Sequence, residues 1–255
     1  AGNGQPAGRA QLSAPAAVLS QISTGEPLNA AVPAVTGQRY VIDTFNHAVR
    51  TFNTRTNDND ADHVSTLAGV GGMRGPGTAS TQPTSTKLAY PMGGALDATR
   101  NLLYVADTFN NVVRAIDLTH QTTTIVAGTG TAGYAVTDEG KLATQAALSY
   151  PTGLAVDAAG DLFIADTYNS RVRVVVAGRI YTVAGTGRLG FSGDGGDARQ
   201  ADLYFPYGVA LDSATAPNLY ITDSFNHRIR RVSAVSMNAK APNTIQTIAG
   251  DGAPA

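Results

Sequence analysis

The chain has 255 residues, 43% of them hydrophobic and 15% charged, with a net charge of −1 at neutral pH, the make-up of a folded domain with a sizeable core. This balance supplies no concentrated basic surface of the kind that phosphate neutralisation needs, so nucleic acid is not an expected partner. Cysteine is absent, which excludes disulfides, thiolate metal sites and cysteine nucleophiles, and no apolar run approaches the roughly 20 residues of a spanning helix, so no membrane insertion is expected.

Along the chain the elements come in four rounds. The sequence opens Ala1-Gly-Asn-Gly4 without methionine or an apolar leader, which reads as a processed chain or an excised fragment. The first round has an apolar stretch, Pro15-Ala-Ala-Val-Leu-Ser-Gln21, then Asp43-Thr-Phe-Asn-His-Ala-Val-Arg50, then Leu67-Ala-Gly69. The second runs Pro91-Met-Gly-Gly-Ala-Leu-Asp97, Asp107-Thr-Phe-Asn-Asn-Val-Val-Arg114 and Val126-Ala-Gly128. The third runs Pro151-Thr-Gly-Leu-Ala-Val-Asp157, Asp166-Thr-Tyr-Asn-Ser-Arg-Val-Arg173 and Val183-Ala-Gly185. The fourth runs Pro206-Tyr-Gly-Val-Ala-Leu-Asp212, Asp223-Ser-Phe-Asn-His-Arg-Ile-Arg230 and Ile248-Ala-Gly250. Each central Asp ends a half-buried run such as Leu102-Leu-Tyr-Val-Ala106, and period-two alternation resumes beyond the turn.

Each round therefore predicts four short antiparallel strands. Such a meander cannot bury both of its faces alone, and radial stacking of four meanders solves the problem. The expectation is an all-β propeller of four-stranded blades, forming one domain over residues 1–255 with units near 1–68, 69–127, 128–184 and 185–255. No stretch of 10–15 residues has helical period, which excludes a helical solenoid. Both ends fall at the same point of the repeat, so a closed four-bladed ring is favoured; four units of a longer propeller, or half of an eight-bladed dimer, remain open. The connections between rounds end alike, in Ala143-Thr-Gln-Ala-Ala-Leu148, Ala198-Arg-Gln-Ala-Asp-Leu203 and Gly8-Arg-Ala-Gln-Leu12. That pattern suggests one helical turn that packs a leucine beneath the loop, with Asp197 ahead of it. Longer polar insertions at residues 53–62 and 233–243 should project from a rim.

The motif set, four times in order, resembles NHL repeats, a β-propeller family, over essentially the whole chain. The long loop Gly187-Arg-Leu-Gly-Phe-Ser-Gly-Asp-Gly-Gly-Asp-Ala198 resembles the bacterial and teneurin-like type, whose members more often have six blades. The first round departs from the pattern, because residues 15–21 lack both the Gly and the Asp. The resemblance implies a non-catalytic module that binds a protein or glycan, as a scaffold in a larger extracellular or periplasmic assembly, with self-association open to it. It also implies an alternative, a metal-dependent lyase or lactonase with its site in the central channel. That alternative needs blade-specific His, Glu or Asn on the innermost strands, which here read Ala, Leu, Val and Gly. RNA binding, known among animal members, would need a basic top surface.

Residues shared by every copy are explained by the needs of each blade. Asp43, Asp107, Asp166 and Asp223, with Asn46, Asn110, Asn169 and Asn226, suit the turn, and Arg50, Arg114, Arg173 and Arg230 can reach those carboxylates. Asp97, Asp157 and Asp212 close the presumed inner strands as turn caps. Phe45, Phe109, Tyr168 and Phe225 hold equivalent turn positions. They either form an exposed rim able to anchor a peptide or glycan or fold back onto the adjacent blade. His47 and His227 also match, and would be neighbours in a closed ring as exposed turn residues; two imidazoles are too few for zinc. Arg228, with Arg230 and Arg231, is the best local basic candidate. Residues 58–62 begin like a calcium loop, but His63 stands where glycine is needed. No catalytic residue, metal or cofactor is expected.

Overall fold

The computed structural model describes residues 5–6, 11–20, 37–54, 63–70, 82–214, 216–233, 235 and 243–253. The residues of the calcium-like segment, 58–62, lie outside them, as does most of each polar insertion.

Each repeat folds as an antiparallel meander, because its apolar runs alternate and its turns carry the residues that left-handed backbone requires. The first sheet contains β1 (Gln5–Pro6), β2 (Pro15–Ser20), β3 (Gly37–Asp43), β4 (Ala48–Thr54) and β5 (His63–Ala68), in the order β1-β5-β4-β3-β2. The second comprises β6 (Gly93–Asp97), β7 (Leu102–Asp107), β8 (Val112–Asp117) and β9 (Thr122–Ala127). The third comprises β10 (Pro151–Val156), β11 (Leu162–Asp166), β12 (Arg171–Val176) and β13 (Arg179–Ala184). The fourth comprises β14 (Pro206–Leu211), β15 (Leu219–Asp223), β16 (Arg228–Val232) and β17 (Ile245–Ala249). The molecule is a four-bladed β-propeller. Strand β2 forms although its sequence lacks the glycine and aspartate of the other inner strands.

Between the second and third strands of every blade lies one 3-10 turn, closed by a residue in left-handed conformation: His47, Asn111, Ser170 and His227, at φ near 50°. Beneath the turn a fully buried carboxylate gathers three donors. Asp107 accepts from the Ala89 N–H at 2.7 Å, the Asn110 amide at 2.8 Å and Arg114 Nε at 2.8 Å. Asp43 does the same with Ser13, Asn46 and Arg50, and Asp223 with Tyr204, Asn226 and Arg230, while Asp166 accepts from Ser149 and Asn169 and has Arg173 as an ion pair at 3.7 Å. One carboxylate therefore ties the start of the inner strand, the turn and the third strand together. This is the structural role expected of the invariant Asp, Asn and Arg.

The connections are the glue between blades. Each makes a 3-10 turn, Pro83–Ser85, Ala143–Gln145 or Ala198–Gln200, and then buries Leu88, Leu148 or Leu203 at 1% exposure or less. Asp197 accepts from the Arg199 N–H at the start of the last of these turns. Backward, the turns hold the preceding blade: the N–H groups of Gly69, Gly128 and Gly185 donate to Pro83, Ala143 and Ala198. Forward, they pair with the outer strand of their own blade. Gly140 and Lys141 exchange bonds with Ile180, and Gly195 and Gly196 with Ile245. Strand β1, paired with β5 at Gln5↔Val64, makes the same forward contact for the first blade.

The inner strands pack in series, β2 on β6, β6 on β10 and β10 on β14. Gly153 is required there, because a Cβ on it would stand 2.6 Å from the Tyr207 carbonyl oxygen and 2.8 Å from Gly208 Cα. Among the described residues, β14 and β2 do not pack as the other three pairs do, and burial gives the same result. Leu12, the counterpart of Leu88, Leu148 and Leu203, is 42% exposed, and Pro15 is exposed where Pro91, Pro151 and Pro206 are buried. On the other side Ala249 is exposed, whereas Ala68, Ala127 and Ala184 are at 1% or less. The closed ring favoured by the matching ends is therefore not made by the described residues. Among the described residues, the four blades form a series whose first and last faces are open.

Candidate functional site

The turn aromatics project from one rim of the propeller. Phe45, Phe109, Tyr168 and Phe225 are 56%, 44%, 59% and 59% exposed, so they do not fold back into the cores. Between them stand three further aromatics, Tyr90, Tyr150 and Phe205, each immediately before the proline that leads into an inner strand. The seven rings interleave in one row. Phe45 meets Tyr90 at 5.7 Å, Tyr90 meets Phe109 at 4.7 Å, and Phe109 meets Tyr150 at 5.1 Å. Tyr150 meets Tyr168 at 4.6 Å, Tyr168 meets Phe205 at 4.9 Å, and Phe205 meets Phe225 at 5.1 Å. Tyr204 packs on both Phe205 and Phe225. Tilted and edge-on arrangements at these distances each contribute about 0.5–1.5 kcal/mol beyond area burial, so the row is a supported surface.

The intervening aromatics are fixed by their backbones. Tyr90, Tyr150 and Phe205 have φ of 46–48°, a region costly to side chains with a Cβ. The two tyrosines are held by the blade before them. The Tyr90 N–H donates to His47 Nδ1 at 3.1 Å, and the Tyr150 N–H donates to the Asn111 side-chain oxygen at 3.0 Å. The sequence signal was available as an aromatic–Pro pair in three of the four rounds, with Ala14-Pro15 in the first.

His47 corrects an expectation. Instead of an exposed turn residue, it is 7% exposed and lies edge-on against Tyr90 at 4.5 Å, because the next blade's aromatic–Pro step sits on it. His227 occupies the equivalent place with no described blade over it, and it is exposed. The two imidazoles, at opposite ends of the blade series, do not share one site. No group of three or more His, Asp or Glu residues is placed to hold a metal ion among the described residues.

Arg228 lies over the Phe191 ring at 4.0 Å and donates to the Asp251 carbonyl at 2.7 Å. Arg171, its counterpart, lies over Tyr134 at 3.7 Å, so both arginines clamp a connection loop onto its blade. Arg230 is buried between Asp223 and Asp194, at 3.3 and 2.8 Å, and so contributes no basic surface. Arg173 is similarly shared, by Glu139 at 3.1 Å and Asp166 at 3.7 Å. At that longer separation the guanidinium offsets burial less, and burial pushes the Asp166 carboxyl up to about 6 despite bonds from Asn169 and Ser149. Burial also raises the Asp107 and Asp223 carboxyls.

The inner-strand aspartates cap turns, as expected. Asp97 accepts from the Arg100 N–H, Asp157 from the Asp161 N–H, and Asp212 from the N–H groups of Ala214 and Asn218. Bonds from Asn218 hold the Asp212 carboxyl below its ordinary value. No helix among the described residues is long and apolar enough to cross a membrane.

A family model of the NHL repeat matches residues 148–175, which span the buried Leu148, strands β10 and β11, and the turn into β12. NHL repeat-containing protein 2 of Bos taurus is 32% identical over 143 residues, 53% of this chain and 18% of that protein. Teneurin-1 of Homo sapiens is 30% identical over 200 residues, 67% of this chain and 7% of that protein. The chain thus spans less than a fifth of the length of these curated relatives. A solved auxiliary nutrient binding protein from Bacteroides ovatus superposes with a TM-score of 0.56 at 18% identity, covering 80% of this chain and 47% of that one. At that identity it is a likeness of fold.

Proposed function

We propose, from the premise that this chain is an NHL-repeat β-propeller, that it is a non-catalytic binding module whose aromatic rim takes a protein or glycan partner. The reading is carried by one observation: four ring faces, those of Phe45, Phe109, Tyr168 and Phe225, remain 44–59% exposed while being braced by Tyr90, Tyr150 and Phe205. Large aromatics fixed in place lose little conformational freedom on binding, and they stack on sugar rings or on the apolar parts of a peptide. The module's setting, on this proposal, is extracellular or periplasmic, as a scaffold within a larger assembly.

The polar chemistry supports the same reading. The aspartate and arginine repeated in every blade are already committed to one another beneath the turns. General acid–base work needs such groups facing a cleft with unequal environments. A glycan array and a peptide array, each probed with the native chain and with Phe109→Ala, Tyr168→Ala and Phe225→Ala, test the proposal. Ligands retained by the native chain should be lost by at least tenfold in the variants, with melting temperatures within a few degrees of native. Ligands bound equally by all four proteins would place binding elsewhere and overturn the rim as the site.

A further inference from the structure

We infer that the open faces of the first and last blades join head to tail, so that a second copy of this chain seats its first blade on the last blade of the other. The occupant is specified by the three junctions already inside the molecule. At each of them the incoming connection buries one leucine against the fourth strand of the preceding blade. Leu88 packs in one core cluster with Leu67, Leu148 with Val126, and Leu203 with Val183. The last blade presents Ile248 at this position, 46% exposed, with Ala249 exposed beside it. The first blade presents the matching leucine, Leu12, 42% exposed. Each end carries the half of the contact that the other lacks.

The rest of the junction is matched in the same way. Val49, Val113 and Val172 are fully buried on the third strands of the first three blades, whereas Ile229 at this position is half-buried. A mainly apolar concavity, lined by Gly208, Val209, Tyr220, Ile221, Thr222 and Ile229, lies on the fourth blade. A Cβ on Gly153 would strike the backbone of the next blade, but one on Gly208 would meet only Thr222 of its own sheet. The seat that glycine keeps clear is therefore free in the fourth blade. Opposite it, the first blade offers Ala14, Pro15 and Val18, the last of them 63% exposed. Ala14 already has the left-handed φ of 45° that Tyr90, Tyr150 and Phe205 adopt when they step onto the blade before them. In the joined form its N–H faces His227 as the Tyr90 N–H faces His47. The contact is heterologous, so repetition either closes into a ring or grows into a filament.

Sedimentation velocity of the purified chain over a wide range of concentration tests this inference. The expected result is a reversible rise from the single chain to at least twice its mass. Leu12→Arg and Ile248→Arg each remove one face and should each sediment as single chains. Mixed together they should form a 1:1 complex, because each retains the face that the other has lost. Leu12→Ser and Ile248→Ser serve the same purpose where arginine lowers the melting temperature. A native chain that stays single at every concentration would overturn the inference. So would association that survives both substitutions, or a mixture of the two variants that fails to pair.

Discussion

Placing one methyl group at the same repeat position in two blades separates a sealed junction from an open one. Gly153 and Gly208 both follow the proline of an inner strand by two residues, and neither has the positive φ that would itself penalise alanine. In Gly153→Ala the new Cβ would lie 2.6 Å from the Tyr207 oxygen and 2.8 Å from Gly208 Cα and Val209 N. That is about 0.7–0.9 Å inside the nearest ordinary contact. These are backbone atoms of the next inner strand, so the blades must part, at a cost on the order of 1–3 kcal/mol. In Gly208→Ala the nearest atom is Thr222 Oγ1 at 3.1 Å, a side-chain atom that already accepts from the Gly208 N–H at 2.6 Å and needs to give by only a few tenths of an ångström. There the reduced freedom of the unfolded chain contributes about 0.4–1 kcal/mol of stability. For a chain of this size 1 kcal/mol moves the melting temperature by roughly 2–4 °C. Calorimetry in dilute solution, where the chain is single, should show Gly153→Ala melting several degrees below native and Gly208→Ala at or slightly above it. Equal losses in both variants would refute the reasoning.

Two further outcomes follow from the buried carboxylates. Asp107→Ala removes the acceptor shared by Ala89, Asn110 and Arg114 in a fully buried site, which should cost about 3–5 kcal/mol in urea unfolding. Asp117→Ala, at a solvent-screened pair with His120, should cost far less; similar losses at the two positions would contradict the role given to Asp107. Asp166 titrates near 6 in the folded chain, above its unfolded value of 3.8. The folded state therefore holds its proton more tightly, and this contribution to stability is complete below about pH 4 and is lost as the pH rises through 6. Against Asp166→Asn, which has no such proton, the native chain should lose relative stability between those limits. A constant gap between the two unfolding curves across that range would show that burial does not perturb the carboxyl.

The sequence made the repeat legible because each blade meets the same physical demands. The buried aspartate needs its asparagine and arginine, the turn needs its left-handed residue, and the loop needs its leucine, so all are written four times. The rim phenylalanines and Tyr168 were legible for that reason too. Tyr90, Tyr150 and Phe205 were harder to see, because they stand outside the aligned turn and meet it only when blades are side by side. The burial of His47 has the same origin: the residue that covers it is 43 positions away in the next blade. Arg173 and Glu139 are similarly joined across a connection of 34 positions. Closure was the least legible feature. Matching ends show that two faces are alike in kind, but contact between them depends on the angle accumulated over four blades, which no local pattern encodes.

Three junctions are sealed and one pair of faces is open among the described residues, and thiol accessibility measures that difference directly. The chain has no cysteine, so single Leu12→Cys, Leu88→Cys and Leu148→Cys variants each carry one reporter at an equivalent position. In dilute solution, Leu12→Cys should react with a maleimide nearly as fast as a free thiol, while the other two should be protected by orders of magnitude. Protection of all three alike would mean that the first and last blades close on each other.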